Sequence, residues 1–343
     1  MDTSHPVDAG SQQAGVCIFC GPKAASDLLI RENGFDGHQC QECGLIFVSP
    51  RPSLSEIADL YGHDGAHVSA NSHLAAGFTK RLHARHTLDI LKRHRVSGDM
   101  LDIGAGAGFF LDEARRRGFN PHAIEFNHTQ IRHIRDVLRI PCVAKPLSDD
   151  PFSGKSFDVI YHCDVVSHFY DPFAEFRAFH HALKDEGLLV FETGNLGDTD
   201  HRYLRLFDRF QYPDHLFFFS SDNIAQLLSS TGFELVRIYR YSLVTDLWVG
   251  RLRTRARKFF RRLGSGDHNA NQSAHVSFDG PQTQTAAGRG VLHTIKRVDQ
   301  YIAYLLRYRF GRLLPKGTRP QTMIVVARKS GPPVARQRGA ENE

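Results

Sequence analysis

The stretch Met100-Leu-Asp-Ile-Gly-Ala-Gly-Ala-Gly-Phe-Phe110 constrains this chain more than any other. A short apolar strand (Met100, Leu101, Ile103) runs straight into Gly104, Gly106 and Gly108, and a helix is expected over 109–117. Glycines at this spacing let the backbone bend sharply and let a ligand lie against it with no side chain between. The third glycine comes one residue too early for the dinucleotide pattern G-x-G-x-x-G, and Phe109 stands where that glycine belongs. Asp102 precedes the first glycine by two positions. A carboxylate there would repel a pyrophosphate but suits a ligand carrying an ammonium and a sulfonium. Glu125, in the second apolar segment 122–126, lies about one βαβ step downstream, where a strand-end carboxylate can accept both ribose hydroxyls.

Around this loop, apolar segments alternate with amphipathic ones. Further strands are expected at 141–144, 157–161, 187–191, 233–239 and 321–327. Helices are expected at 73–95, with its histidines on a solvated face, at 127–138, and at 171–184, where Asp171 caps and Pro172 takes the first position. Strands alternating with helices at this pitch predict an α/β fold with a doubly wound, mostly parallel sheet.

Six cysteines need an explanation. The polar start lacks the basic-then-apolar pattern of a secretory signal. No run approaches the roughly 20 apolar residues of a membrane span. A cytoplasmic location is therefore expected, which disfavours disulfides. Cys17-x-x-Cys20 and Cys40-x-x-Cys43 form two knuckles, each followed by a glycine that permits the tight turn. Four thiolates so spaced can meet at tetrahedral Zn²⁺ with Zn–S bonds of about 2.3 Å; a redox role is the alternative for a single pair. Four sulfurs leave no open position, so such a zinc would hold a fold and do no chemistry. Residues 44–52 then read as a strand stopped by two prolines, and Ser53 with Glu56 as a capping box for a helix over 54–61.

The acid-x-G-x-G-x-G loop, the acid ending the next strand and the run C-x-x-C-G-L-I-F-V-S-P-R-P together resemble class I S-adenosylmethionine-dependent methyltransferases. The likeness is to the subgroup with an N-terminal zinc-binding module, often associated with modification of sugars and other small metabolites. It implies a Rossmann-like seven-stranded sheet whose last strand is antiparallel and sits beside the sixth. It further implies S-adenosylmethionine bound by Asp102, Gly104, Gly106, Gly108, Glu125, Phe126 and Asp164, with adenine near the backbone of Leu147 and Ser148. Pro146 replaces the acid often found in that adenine loop. Zn²⁺ would be held by Cys17, Cys20, Cys40 and Cys43, and Tyr61 could close over the cofactor. His168 stands where related enzymes show a Glu-His pair, Ser167 replacing the acid. His215 stands in a Pro-x-His-Leu-x-x-Phe-Ser run. Both are candidate catalytic bases, with a structural role such as bonding a loop carbonyl as the alternative for each. His215 is favoured, because Tyr212, Phe217, Phe218 and Phe219 could cover a substrate. A neutral imidazole of pKa near 6.5 also accepts a proton with little tuning.

The net charge of +6 is unevenly placed, its basic residues concentrating after residue 250. On a helical wheel Trp248, Val249, Leu252, Phe259, Phe260 and Leu263 share one arc. Arg251, Arg253, Arg255, Arg257, Lys258, Arg261 and Arg262 fill the other. That is the pattern of an interfacial membrane helix; packing on the core is the alternative. A polar linker (264–290) and a second amphipathic helix (292–314) follow. Binding to nucleic acid is less favoured, because the aromatics segregate from the arginines that would neutralise phosphates. The expected organisation is a disordered leader (1–15), a zinc ribbon (16–52), a methyltransferase domain (53–242 with 319–330), a basic helical insertion (243–318) and a disordered tail (331–343). The expected function is methyl transfer from S-adenosylmethionine to a small or lipid-linked metabolite such as a sugar or glycan, with peripheral membrane contact through 246–263. An RNA methyltransferase and a non-catalytic scaffold are the alternatives; intact Asp102, Gly104, Gly106, Gly108 and Glu125 argue against the latter.

Overall fold

The computed structural model describes residues 15–53, 56, 74–94, 97–207, 209–245, 247–249, 251–252, 297–313 and 318–332. Nearly all of the leader, most of helix 54–61 with Tyr61, the arginine-rich stretch 253–263, the linker 264–290 and the tail from 333 lie outside the described residues.

A small antiparallel sheet grows from the cysteine knuckles. It comprises β1 (Ser26–Glu32), β2 (Phe35–Cys40) and β3 (Ile46–Ser49), and a distant two-residue strand, β9 (Phe217–Phe218), completes it in the order β1-β2-β3-β9. Asn33 and Gly34, both at positive φ, turn β1 into β2. Asn-Gly is the dipeptide that a two-residue hairpin turn favours. The expected capping box is present: the Glu56 N–H donates to Ser53 Oγ at 3.2 Å, and the Ser53 N–H to Glu56 Oε2 at 2.7 Å.

The main sheet has seven strands: β4 (Asp99–Ile103), β5 (Asn120–Ile124), β6 (Cys142–Val143), β7 (Phe157–Cys163), β8 (Leu183–Gly194), β10 (Phe233–Ser242) and β11 (Gln321–Lys329). Their order is β10-β11-β8-β7-β4-β5-β6. Strands β4 to β8 run parallel, while β11 is antiparallel to both β10 and β8. This is the Rossmann-like, mostly parallel seven-stranded sheet that the sequence led us to expect, its last strand beside the sixth. Chain order reverses at β4, between β5 on one side and β7 on the other, so the crevice for a ligand opens above their C-terminal ends.

Side-chain alternation along the strands feeds two cores. Leu101, Ile103, Ile160, Leu189, Phe191 and Val325 face one, with Phe173, Phe176 and Phe179 of α4 (Pro172–Ala182), α5 (Ser221–Ser230) and the cysteine module. Met100, Val159, Leu188, Val190, Ile324 and Val326 face the other, with α1 (Gly77–Arg93) and α2 (Phe109–Arg115). Asp171 caps α4 by accepting the Ala174 N–H at 3.0 Å, with Pro172 next, as expected. The helix expected over 127–138 is α3 (His128–Arg132) followed by a wider turn, His133–Val137.

The region read as an insertion shows, in its second helix, one of the two arrangements the sequence left open. Its second helix, from residue 297 on, packs onto α1 and β10: Tyr308 is 1% exposed and its ring lies 4.2 Å from that of His86. His86 Nε2 is 2.8 Å from the Tyr241 hydroxyl. The histidines of α1 therefore do not share a solvated face. Burial pushes His83 down to about 3 and His86 down to about 4. No helix of the described residues is long and apolar enough to cross a membrane.

Candidate functional site

The glycine loop leaves β4 with Gly104, Gly106 and Gly108 at φ +70°, +56° and +73°. Two of them are also crowded. A Cβ on Gly104 would stand 2.8 Å from Val165 Cγ2, and one on Gly108 would stand 2.9 Å from Ile134 and Leu138. The loop is thus glycine for backbone angle and for space, and it presents bare backbone to the crevice.

Two buried carboxylates flank it. Glu125 follows β5 directly and organises the loop: its Oε2 accepts the Gly106 N–H at 2.7 Å, and its Oε1 accepts those of Phe126 and Asn127 at 2.8 and 2.9 Å. Burial raises its pKa, against the pull of those three donors. Asp102, 3% exposed, is raised well above the usual carboxylate range by burial and then by the charge of Glu125, with Lys80 opposing. Such a pair favours a cationic ligand, which would lower the cost of both charges.

Helix α1 brings Lys80 to the site. Arg81 Nη1 bonds Asp112 Oδ2 at 2.6 Å and Glu113 Oε1 at 3.1 Å, and Arg85 Nε bonds Glu113 Oε2 at 2.9 Å, which fixes α1 to α2. Below it, Glu192 is buried and accepts from Thr87 Oγ1 at 2.6 Å and Tyr161 Oη at 3.1 Å. Lys80 and Glu192 were not singled out in the sequence. Nothing local marks them, because each matters only through the packing of α1 on β7 and β8.

The other expected donor-side residues are spread more widely. Asp164, exposed and at positive φ, follows β7 and hands its N–H to the Glu192 carbonyl at 2.9 Å. Phe126 is 50% exposed just past Glu125. Leu147 is buried in the turn Leu147–Asp149 and Ser148 is exposed. His162 belongs to β7 itself and not to the loop after it. It is 0% exposed, its ring is stacked at 4.8 Å on Phe191, and burial pushes it down to about 3.

His168 and His215 come together. Their ring centroids are 4.6 Å apart, and their ring nitrogens and an Asp214 carboxylate oxygen lie within 4.8 Å of one another. His168 Nδ1 is 3.0 Å from Asp214 Oδ1 and 2.9 Å from the Asp214 carbonyl. Burial presses the His168 pKa down, but the bond and charge of Asp214, with Asp164 behind, outweigh it, and the net shift is upward. Asp214 is the residue the motif reading passed over, although it immediately precedes His215. Val165 packs on Gly104 and the Ser167 carbonyl accepts the Leu216 N–H at 2.8 Å, so segment 164–168 joins this cluster to the glycine loop.

The four knuckle cysteines converge too, their sulfurs within 4.8 Å of one another and unlinked by disulfides. Gly21 and Gly44, at positive φ, close the knuckles by donating to the Cys17 and Cys40 carbonyls at 2.9 Å. Burial, followed by neighbouring thiols, pushes Cys17 up to about 12 and raises Cys20. Cys40 is lowered despite burial, because the Cys43 and Glu42 N–H groups favour its thiolate. A set of four sulfurs whose thiolates repel one another is suited to a divalent cation that would hold them all ionised.

A family model described as "Methyltransferase domain" matches residues 75–238, the stretch from α1 into β10. A curated protein of Mycobacterium tuberculosis, known from two strains and named "Probable S-adenosylmethionine-dependent methyltransferase", is 26% identical over 98 residues. That match takes in 28% of this chain and 36% of the relative, so the chain spans about a third of the curated relative's length. Among solved structures, the [4+2]-cyclase SpnF matches with a TM-score of 0.44 at 16% identity, over 74% of this chain and 81% of that one. A Haemonchus contortus phosphoethanolamine N-methyltransferase, solved with phosphomonomethylethanolamine and S-adenosylhomocysteine, matches with a TM-score of 0.42 at 20% identity, over 72% and 53%.

Proposed function

We propose that this chain transfers a methyl group from S-adenosylmethionine to a small or lipid-linked acceptor, a sugar or glycan among them. The observation that carries the reading is the pair of buried carboxylates, Asp102 and Glu125, around a glycine loop that presents bare backbone. The donor supplies an activated methyl on a sulfonium, and its departure needs no acid. What remains for the protein is to bind, orient and deprotonate. Glu125 would receive the ribose hydroxyls, Asp102 the cationic end, and Asp164 and Phe126 the flanks. On the acceptor side we assign His215 as the base and His168, engaged by Asp214, as the residue that orients the acceptor. A base helps only when the acceptor oxygen or carbon stands roughly 3–3.5 Å from the methyl.

We further propose one structural zinc on Cys17, Cys20, Cys40 and Cys43. The sulfur-only set favours a closed site that supports the fold. The lipid-linked alternative for the acceptor draws on the insertion: Trp248, Leu252, Val298, Tyr301 and Ile302 are all large apolar residues about half exposed. A cavity of about 280 Å³ lies between Thr79 and His83 of α1, Val249, and Tyr304, Leu306 and Arg307.

One experiment tests the reading as a whole. The protein is incubated with methyl-labelled S-adenosylmethionine and separate metabolite, lipid and RNA fractions. Label in the metabolite or lipid fraction is the expected result, and label confined to RNA would replace the acceptor class. For the membrane part, sedimentation with anionic vesicles should show salt-sensitive binding that is lost on deleting 246–263. Equal binding without that segment would remove the membrane part.

A further inference from the structure

The acceptor-side loop is held from the cysteine module. Glu32, at the end of β1, receives two backbone N–H groups across the interface: Phe210 at 3.0 Å and Tyr212 at 2.9 Å, both on Oε2, with Oε1 a further 3.1 Å from Phe210 N. Asn33 Nδ2 adds a bond to the Tyr212 carbonyl at 2.8 Å. Tyr212 is fully buried, and its hydroxyl fills the space over Gly37, where a Cβ would meet it at 2.1 Å. Past the histidine, the Val48 N–H donates to the Leu216 carbonyl at 3.0 Å, and β9 pairs with β3 through Ile46–Phe218 and Phe47–Phe217. Asp214 and His215 are thus suspended between two anchors, both on the module.

We propose that Glu32 is a positioning residue for the acceptor site, setting the 210–216 loop so that Asp214 and His215 meet His168. This rests on the functional reading of that histidine pair. Because a bond from either N–H to one well-placed oxygen suffices, the requirement is for an acceptor at the right reach and not for charge as such. Glutamine can turn its single oxygen to the place Oε2 occupies and keep both bonds, its amide nitrogen swinging clear of the Phe210 N–H that Oε1 faces at 3.1 Å. Aspartate keeps the charge but is one methylene short. Alanine offers nothing.

The test uses the full chain, with its metal, as Glu32→Ala, Glu32→Gln and Glu32→Asp. Titration of His168 is followed by nuclear magnetic resonance on histidine-labelled protein, and S-adenosylmethionine binding by calorimetry. The groups facing His168 are Asp214, Asp164 and His215. In Glu32→Ala and Glu32→Asp the loop relaxes, Asp214 withdraws and the His168 pKa falls; in Glu32→Gln it stays near wild type. S-adenosylmethionine affinity is unchanged in all three. Once an acceptor is known, methyl transfer should fall about 10²–10⁴-fold in Glu32→Ala and Glu32→Asp, the range for a displaced base. Unaltered His168 titration in Glu32→Ala overturns the proposal, and so does a Glu32→Gln that behaves like alanine. If alanine does not fold, aspartate against glutamine decides. Failure of every variant, and of wild type, to bind S-adenosylmethionine would instead overturn the donor reading.

Discussion

Replacing Glu125 with glutamine tests the donor site at its most connected atom. The carboxylate meets three backbone donors, Gly106 on one oxygen and Phe126 with Asn127 on the other. Glutamine has one oxygen, so its amide N–H₂ must confront either the Gly106 N–H or the pair at 126–127. The cheaper orientation sacrifices Gly106, and a buried N–H left without an acceptor costs about 1–3 kcal/mol. On the ligand side, losing the charge reduces a hydrogen bond by about 1 kcal/mol, so two ribose hydroxyls lose about 2 kcal/mol. At 1.4 kcal/mol per decade that is roughly a thirtyfold rise in Kd for S-adenosylmethionine, and about fivefold if only one bond weakens. Calorimetry measures it directly. The pH dependence follows from the raised pKa of Glu125: wild-type affinity should begin to fall, on acidification, above the pH at which an ordinary carboxylate protonates, whereas Glu125→Gln should not show that fall. For the free protein the sign is opposite. A carboxyl with a raised folded pKa stabilises the fold below its unfolded pKa, and that contribution is lost as pH rises through the folded one. Wild-type affinity in Glu125→Gln, or tight NAD binding by the native protein, would refute the reasoning.

Three further outcomes are expected. Metal analysis should find one zinc per chain, and Cys40→Ser should lose it; metal-free wild type, or zinc retained by that variant, would dismiss the site. His215→Ala should cut turnover about 10²–10⁴-fold, the worth of a positioned base, with donor binding intact and His168→Ala milder; near-full turnover in His215→Ala would point to an acceptor that needs no deprotonation. His162→Leu should melt no lower than wild type at neutral pH, because neither ring nitrogen of His162 has a hydrogen-bond partner and an unpaired buried group costs about 1–3 kcal/mol. With His162 held down to about 3, wild type should lose stability as pH falls from the ordinary histidine range toward that value, and the variant should lose less. A clear drop in melting temperature at neutrality would mean that the ring has a partner after all.

The arrangement around the proposed donor side was legible because it is written in chain neighbours. The three glycines, Asp102 and Glu125 fall within one βαβ step, and the period-2 alternation of β4, β7 and β8 is a local pattern. The same holds for the knuckles, where the glycine after each cysteine pair takes the expected turn. What could not be read depends on partners far along the chain. The helical spacing of α1 placed its histidines on a solvated face, but spacing does not say that Tyr304 and Tyr308 will cover them. His162 looked like the start of a loop because a histidine interrupts an apolar run; the strand simply continues through it into a phenylalanine core. Asp214 lay inside a motif already noticed, yet its bond to His168 spans 46 positions, and periodicity carries no information over that distance.

The module's place in the fold follows from how the two sides of the crevice are built. The proposed donor side is anchored in the main sheet, where Glu125 and the glycine loop continue β5 and β4 directly. The proposed acceptor side has no such support: among the described residues between β8 and α5 there are only short turns, Leu196–Asp198 and His201–Leu206, and the two-residue β9. A segment with so little regular structure cannot hold two imidazoles and a carboxylate in register by itself, since each ordered residue costs about 1–2 kcal/mol of backbone entropy. The small sheet supplies the missing order through Glu32, Asn33, the notch at Gly37 and the edge of β3. Segment 164–168 touches both sides, Val165 against Gly104 and Ser167 against Leu216. Donor affinity and acceptor geometry should therefore respond to different substitutions. Residues of the module should alter the second while leaving the first, and crowding at Val165 should alter both.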